Sequence, residues 1–129
     1  MKYFLITNNP LVRDELGNGH ELVFVDGSFA DVLYEARDRC HLGHILLSHP
    51  LSGSVKPNET LYKTVMLSRK IGKTDPDSVL LIEKAIETLN KFGPIRRAWR
   101  ERELKDFQLI DLTLIESAIE SCHENYDQT

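Results

Sequence analysis

Cysteine and long apolar runs are both scarce in this sequence of 129 residues. Cys40 and Cys122 are too few for a disulfide framework, so a reducing compartment such as the cytoplasm is expected. The longest apolar runs, such as Val79–Ile82, fall far short of the roughly 20 residues that span a membrane. The first residues also lack the apolar stretch and cleavage site of a secretory signal. These absences predict a cytoplasmic protein with no membrane attachment.

Basic residues are outnumbered by acidic ones, 16 to 20, which gives a formal net charge of −4. That balance disfavours nucleic acid as a partner. A hydrophobic fraction of 41% with 28% charged residues is typical of a globular protein and excludes intrinsic disorder. The length fits one domain, predicted over residues 1–124, with residues 125–129 as a frayed tail.

Short apolar runs that end at turn residues alternate with helical patterns in the first half of the chain. Tyr3–Thr7, Glu21–Val25 and His44–Ser48 are predicted strands, joined by helices that begin at Pro10 and Phe29. Because parallel strands need such crossover connections, we expect these three strands to be parallel.

The second half of the chain predicts one more strand and then helices. Leu61–Ser68 favours extended structure, and the loop before it leaves its direction open. Asp75–Pro76 can begin a helix that Gly93–Pro94 ends, and a last helix is predicted within Lys105–His123. The apolar positions of this last helix recur every three or four residues: Phe107, Ile110, Leu114, Ala118 and Cys122. The predicted fold is an α/β three-layer sandwich, a single domain with a mostly parallel four-stranded sheet and a helical C-terminal half.

Small polar residues follow two of the predicted strands at the point where each strand ends: Asn8 and Asn9, then Asp26 and Ser28. Ligands of open parallel sheets bind beyond the carboxyl ends of the strands, so these residues are candidates for a binding site. The structural alternative stays open, because Asn, Asp and Ser also form turns and helix caps.

The segment His49–Thr60 is longer than a simple connection requires, which is typical of functional loops. Its polar and small residues include Ser52, Gly53, Ser54, Lys56, Asn58, Glu59 and Thr60. The Ser-Gly-Ser turn can direct backbone N–H groups at an anion, and Lys56 can supply positive charge. His49 is the candidate general acid or base. With the strand-end residues, the segment predicts a polar cleft for a small anionic metabolite; a surface loop that satisfies its own backbone is the alternative.

Two further clusters carry weaker signals. Cys40, His41 and His44 offer too few ligands for a stable metal site, so neither metal nor cofactor is expected, and Cys40 is predicted to lie in the core. The basic stretch Arg96–Lys105 surrounds Trp99, but interleaved acidic residues are typical of a solvated helical face. A partner-protein surface centred on Trp99 is its functional alternative.

Five motifs together carry a family resemblance. They are Ile6-Thr7-Asn8-Asn9-Pro10, Val25-Asp26-Gly27-Ser28-Phe29, Asp31-Val32-Leu33, the long segment Ser48–Lys63, and Asp106-Phe107-Gln108-Leu109-Ile110-Asp111. With these the chain resembles the GrdX family, small proteins encoded beside the components of glycine reductase. The resemblance implies a bacterial cytoplasmic protein with an accessory role near amino-acid reduction, and it supplies no mechanism.

Two functions follow from these observations, and a third, a nucleic-acid-binding regulator acting through Arg96–Lys105, is disfavoured by the acidic balance. The first is a non-catalytic accessory factor that binds a small anionic ligand or a protein, such as a glycine reductase component. The second is a small enzyme that uses His49 as general acid or base, with Asp26 or Glu59 as a second group. The sequence contains no recognisable catalytic constellation, which favours the first function. The oligomeric state is left open.

Overall fold

The computed structural model describes residues 2–51, 60–93 and 98–126. Over these ranges the chain forms strands β1 (Tyr3–Thr7), β2 (Leu22–Phe24) and β3 (Thr64–Ser68). The helices are α1 (Pro10–Leu16), α2 (Phe29–Leu42), α3 (Pro76–Phe92) and α4 (Glu101–Tyr126). The chain therefore has an α/β fold with a helical C-terminal half, as its sequence predicts. Within the described ranges, no helix has both the length and the apolar character needed to cross a bilayer.

The sheet is mixed, with β1 between β2 and β3. β1 and β2 are parallel, with Leu5 opposite Leu22, whereas β1 and β3 are antiparallel, with Leu5 opposite Met66. The parallel β1–α1–β2 unit confirms the prediction for the first two strands. The antiparallel pairing of β3 with β1 establishes the strand direction that the sequence did not predict.

The structure does not confirm the four mostly parallel strands, because the predicted strand His44–Ser48 makes only one isolated bridge, from Leu46 to Leu67 of β3. This segment lies on the far side of β3, so β3 separates it from β1. Serine side chains bind backbone N–H groups around the bridge: Ser68 Oγ accepts from Ile45 N, Ser78 Oγ from Leu46 N, and Ser48 Oγ from Met66 N. Such side-chain bonds replace part of the ladder that a regular strand would need.

Helices cover both faces of the sheet in the described part of the chain. On one face α2 and α3 pack through residues such as Leu33 and Ile82 against Ile6 of β1. On the other face α1 and α4 pack through Val12 and Ile115 against the sheet. Each buried aliphatic side chain contributes about 1.5–3 kcal/mol, so the two apolar clusters hold the layers together.

The predicted helix starts are confirmed by their capping bonds. Asn9 Oδ1 accepts from Leu11 N at the start of α1, and Ser28 and Asp31 form a capping box at the start of α2. Asp75 caps α3, in which Pro76 occupies the first turn. These bonds satisfy N–H groups that have no partner within the helix, and they fix where each helix begins.

The last helix is longer than predicted, and its buried face agrees only in part with the predicted apolar stripe, of which Ala118 and Cys122 pack in the core. α4 begins at Glu101 rather than near Lys105, and Asp111 lies inside it. Ile110 and Leu114 of the predicted apolar stripe are exposed. The buried positions are Asp111, Leu112, Ile115 and Cys122. The hydrogen bonds of Asp111 direct this helix face at the sheet, an effect that apolar periodicity does not report.

A substitution at Gly43 tests the turn that ends α2. Gly43 has a φ of 113°, and a Cβ there would lie 2.2 Å from Gly72 O. Gly43→Ala should lower the free energy of unfolding by at least about 1–2 kcal/mol, because an L residue in the left-handed region is strained even without the clash. Gly19→Ala is the matched control, since nothing lies within 4 Å of its added Cβ. Equal chemical-denaturation midpoints for the two variants would contradict this reading.

Candidate functional site

A buried carboxylate organises the carboxyl end of β1. Asp111 of α4 is only 5% exposed. Its Oδ1 accepts from Thr64 N at 3.1 Å, while its Oδ2 accepts from Thr64 Oγ1 at 2.7 Å and from Asn9 Nδ2 at 3.0 Å. Such charge-assisted bonds are what allow a carboxylate to be buried. Asp111 therefore joins α4 to the first residue of β3 and to the residue that caps α1.

Two threonine hydroxyls extend this cluster, and the donor and the acceptor of each of their hydrogen bonds can be assigned. Thr64 Oγ1 has one proton, which it donates to Asp111. In the 2.7 Å contact between Thr7 Oγ1 and Thr64 Oγ1, Thr7 is therefore the donor. Thr7 Oγ1 accepts in turn from Asn9 N at 3.0 Å. This series of hydrogen bonds ends at the Asp111 carboxylate, so each of the two buried hydroxyls has both a donor and an acceptor as partners.

Asn8 connects the loops around this cluster. Its Nδ2 donates to Gly27 O at 3.1 Å and to Leu61 O at 2.7 Å, and its Oδ1 accepts from Lys63 N at 2.9 Å. One side chain thus ties the turn after β2 to the segment that leads into β3. Asn8 holds the backbone of Lys63 in place.

Asn9 is fully buried and has its own set of protein partners. Besides capping α1 and binding Asp111, its Nδ2 donates to Gln108 O at 2.9 Å. The amide groups of Asn8 and Asn9 therefore hold the structure together, and ligand binding by either residue stays a prediction.

A cavity of about 240 Å³ lies beside this polar cluster. Its polar lining residues are Ser48, His49, Lys63 and Thr64, and its apolar lining residues are Leu51, Leu114, Ile115 and Ala118. The volume is below the roughly 300–1,000 Å³ of sites for drug-sized ligands. The cavity is therefore of a size for a small metabolite, with a polar side near β3 and an apolar wall on α4.

Lys63 is the buried cation of this cavity. The residue is only 6% exposed. Burial lowers the pKa of Lys63 below its ordinary value of 10.5, and the nearby Asp111 carboxylate opposes that shift. Among the residues that the structure describes, the Lys63 ammonium makes neither a hydrogen bond nor an ion pair. A charged amine in this position is complementary to an anion in the cavity.

His49 and Ser48 lie on the same cavity and can both donate protons. His49 is exposed, and its Nδ1 lies 2.6 Å from Leu51 O and 3.1 Å from Leu51 N, so its ring is held in a local turn. Ser48 Oγ accepts from Met66 N, which leaves its hydroxyl proton available for a second bond. The lining residues of the cavity thus include an ammonium, an imidazole and the hydroxyl of Ser48, while the Thr64 hydroxyl proton is donated to Asp111.

The model of the GrdX-like protein family matches residues 4–120 of the chain. The chain belongs to this family. The match extends from β1 well into α4, so it includes both Lys63 and Asp111. The sequence resemblance to GrdX proteins is thereby confirmed. No curated protein and no solved structure matches the chain.

The structure of this GrdX-like chain separates the predicted site residues. His49 lines the cavity, while Asn8 and Asn9 lie in the adjoining polar cluster. Asp26 and Ser28 are exposed, and Ser28 Oγ is used to cap α2. Thr60 is buried, and its Oγ1 accepts from Tyr62 N. Ser52, Gly53, Ser54, Lys56, Asn58 and Glu59 lie outside the described residues.

Sequence reasoning missed Lys63 and Asp111. Lys63 directly precedes the five buried residues of β3 and is the last residue of the long motif shared with GrdX proteins. A lysine beside a strand buried on both faces was the available signal for a buried amine. Asp111 likewise ends one of the motifs that carry the family resemblance, but no local pattern predicts its partners Asn9 and Thr64, which are distant in the sequence.

The remaining candidates that the structure describes do not line the cavity. Cys40 is buried in the core as predicted, and its burial, followed by the nearby Asp75 carboxylate, raises the pKa of the thiol to about 11. Trp99 is half-buried and packs edge-on against Phe107, with ring centroids 4.8 Å apart. Arg96 and Arg97 fall outside the described ranges. No group of three or more potential metal ligands occurs within the described ranges.

Removal of the Asp111 carboxylate tests its structural role. Asp111→Ala should lower the free energy of unfolding by about 3 kcal/mol or more, because each buried donor left without an acceptor costs about 1–3 kcal/mol. Asp106→Ala, at an exposed position of the same helix, should change it by less than about 0.5 kcal/mol. Urea denaturation followed by circular dichroism measures both. A similar small effect for the two variants would show that the cluster does not stabilise the fold.

Proposed function

We propose that this GrdX-like chain is a non-catalytic accessory protein that binds a small anionic metabolite in the Lys63 cavity. The observation that supports this proposal most strongly is the position of Lys63. This residue is 6% exposed and lines the cavity, and it has no ion-pair partner in the described part of the chain. A buried charge is costly unless an opposite charge or hydrogen bonds compensate it. A bound anion supplies that compensation.

The other lining residues support a small carboxylate or phosphate as the ligand. Ser48 and His49 can donate hydrogen bonds to anionic oxygens beside the Lys63 ammonium. Leu114, Ile115 and Ala118 can accommodate a short apolar portion of the same ligand. Asp111 acts on the Lys63 ammonium from beyond ion-pair distance, and its carboxylate oxygens accept hydrogen bonds from Thr64 and Asn9.

We assign this accessory role to glycine reductase-type amino-acid metabolism in the bacterial cytoplasm. The support is the family membership, together with the resemblance carried by the Ser48–Lys63 motif. The ligand would then be a small acid of that metabolism. A glycine reductase component is the protein partner proposed on the same ground.

The second candidate function is a small enzyme with His49 as general acid or base. One observation favours it: His49 and Lys63 line the same cavity, so an imidazole and an amine face one ligand. Turnover would require a reacting substrate, whereas an accessory factor would bind its ligand unchanged. Recovery of unaltered ligand after prolonged incubation with the protein separates the two functions.

Thermal unfolding with small anions tests the proposed cavity. Acetate and inorganic phosphate should each be tried, and a binding anion should stabilise the wild-type protein by about 2.7 kcal/mol at a concentration of about 100 Kd. Lys63→Met should abolish this stabilisation, because the ammonium is removed while the length of the side chain is largely kept. Differential scanning calorimetry measures both effects.

Lys70→Met is the matched control, since Lys70 lies just beyond the other end of β3 and is exposed. It should retain the full stabilisation by the anion. The proposal fails if Lys63→Met, folded as shown by its circular dichroism spectrum, responds to the anion as strongly as wild type. It also fails if neither anion stabilises the wild-type protein.

A further inference from the structure

Lys63 differs from the other lysines of the described chain in its surroundings. Lys2, Lys70, Lys73, Lys84, Lys91 and Lys105 are exposed, whereas Lys63 is buried at the polar side of the cavity. A lysine whose side chain is largely buried can lose its proton more readily than an exposed one, and the neutral amine is a nucleophile. Lys63 is therefore a potential nucleophile in the lining of a cavity.

We propose that the Lys63 amine captures a small 2-oxo acid as a reversible imine in this cavity. The proposal rests on the proposed function and narrows its ligand class to anions with a carbonyl next to the carboxylate. In this proposal Lys63 forms a covalent bond to the ligand in addition to the ionic contact with its carboxylate.

The bond changes balance without an oxidant or reductant. The Lys63 nitrogen lone pair forms a bond to the carbonyl carbon, and the electron pair of the carbonyl π bond moves to oxygen, which takes up a proton. The attached nitrogen then releases one of its two protons, which leaves a neutral carbinolamine. A second proton added to the hydroxyl lets the oxygen leave as water, and the nitrogen lone pair forms the C=N bond. Overall, a neutral amine, a carbonyl and one proton give an iminium ion and water.

Groups around the cavity suit this sequence of steps. His49 lines the cavity and can donate a proton to the carbonyl oxygen. The iminium ion carries the charge that the ammonium would carry, so the carboxylate of the ligand compensates it in the product. Asp111 on α4 interacts electrostatically with Lys63, and its negative charge favours the iminium. The apolar wall formed by Leu114, Ile115 and Ala118 can hold the short carbon chain.

Reductive trapping tests the proposal on the wild-type protein. The protein is incubated with pyruvate and sodium cyanoborohydride, digested, and mapped by mass spectrometry for carboxyethyl-lysine. Lys63 should carry most of the adduct, well above exposed Lys70 in the same sample. Adduct spread over the exposed lysines with Lys63 unmodified would overturn the proposal.

Acetate separates this proposal from the proposed function, because acetate has the carboxylate but no reactive carbonyl. If acetate stabilises the protein through Lys63 and pyruvate leaves no adduct there, anion binding stands and imine formation is overturned. If the adduct forms at Lys63 and no anion stabilises the protein, imine formation stands and simple anion binding is overturned. Lys63→Arg should bind acetate but give no adduct at this position, and an unchanged adduct pattern in this variant would contradict capture by Lys63.

Discussion

The buried carboxylate of Asp111 is the constraint on which the rest of the structure depends. A charge in this position is tolerable only where donors surround it, and here the donors come from Thr64 and Asn9. α4 can meet these donors only in one rotation and one axial position against the sheet. The apolar contacts of Leu112 and Ile115 then hold the helix in the place that the polar bonds select.

The cavity follows from this placement of α4. Leu114, Ile115 and Ala118 lie about one to two turns beyond Asp111, so they form the apolar wall of the cavity. Lys63 precedes Thr64, the residue that binds Asp111 twice, so its backbone is fixed by the same cluster. Asp111 is close enough to influence the Lys63 amine, yet burial has the larger effect and the pKa of the amine is lowered. The fold thus places Lys63 in the lining of the cavity, where the proposed anion would compensate its charge.

The sequence predicts those features whose partners are near in the chain. The caps at Asn9, Ser28 and Asp75 bind N–H groups two or three residues away, so the helix starts could be derived from residue types. The antiparallel β3 and the single bridge of the predicted strand His44–Ser48 depend on distant partners, which no local pattern encodes. The same distinction between near and distant partners applies to the residues of the candidate site. His49 was proposed because it follows a predicted strand, and it lines the cavity. The pairing of Asp111 with Thr64 spans 47 residues and needed the structure.

The central claim is that the Lys63 side chain is buried without an ion-pair partner in the described part of the chain, so that the effect of burial exceeds that of the Asp111 carboxylate. Titration of the Lys63 side chain by ¹³C NMR, with the Cε resonance of exposed Lys70 as the reference, tests that claim most directly. The account predicts a Lys63 pKa below its ordinary value of 10.5, because burial disfavours the ammonium. It also predicts that saturating acetate raises this pKa, because a bound anion stabilises the ammonium. A Lys63 pKa at or above 10.5 in the protein without added anion would contradict the account.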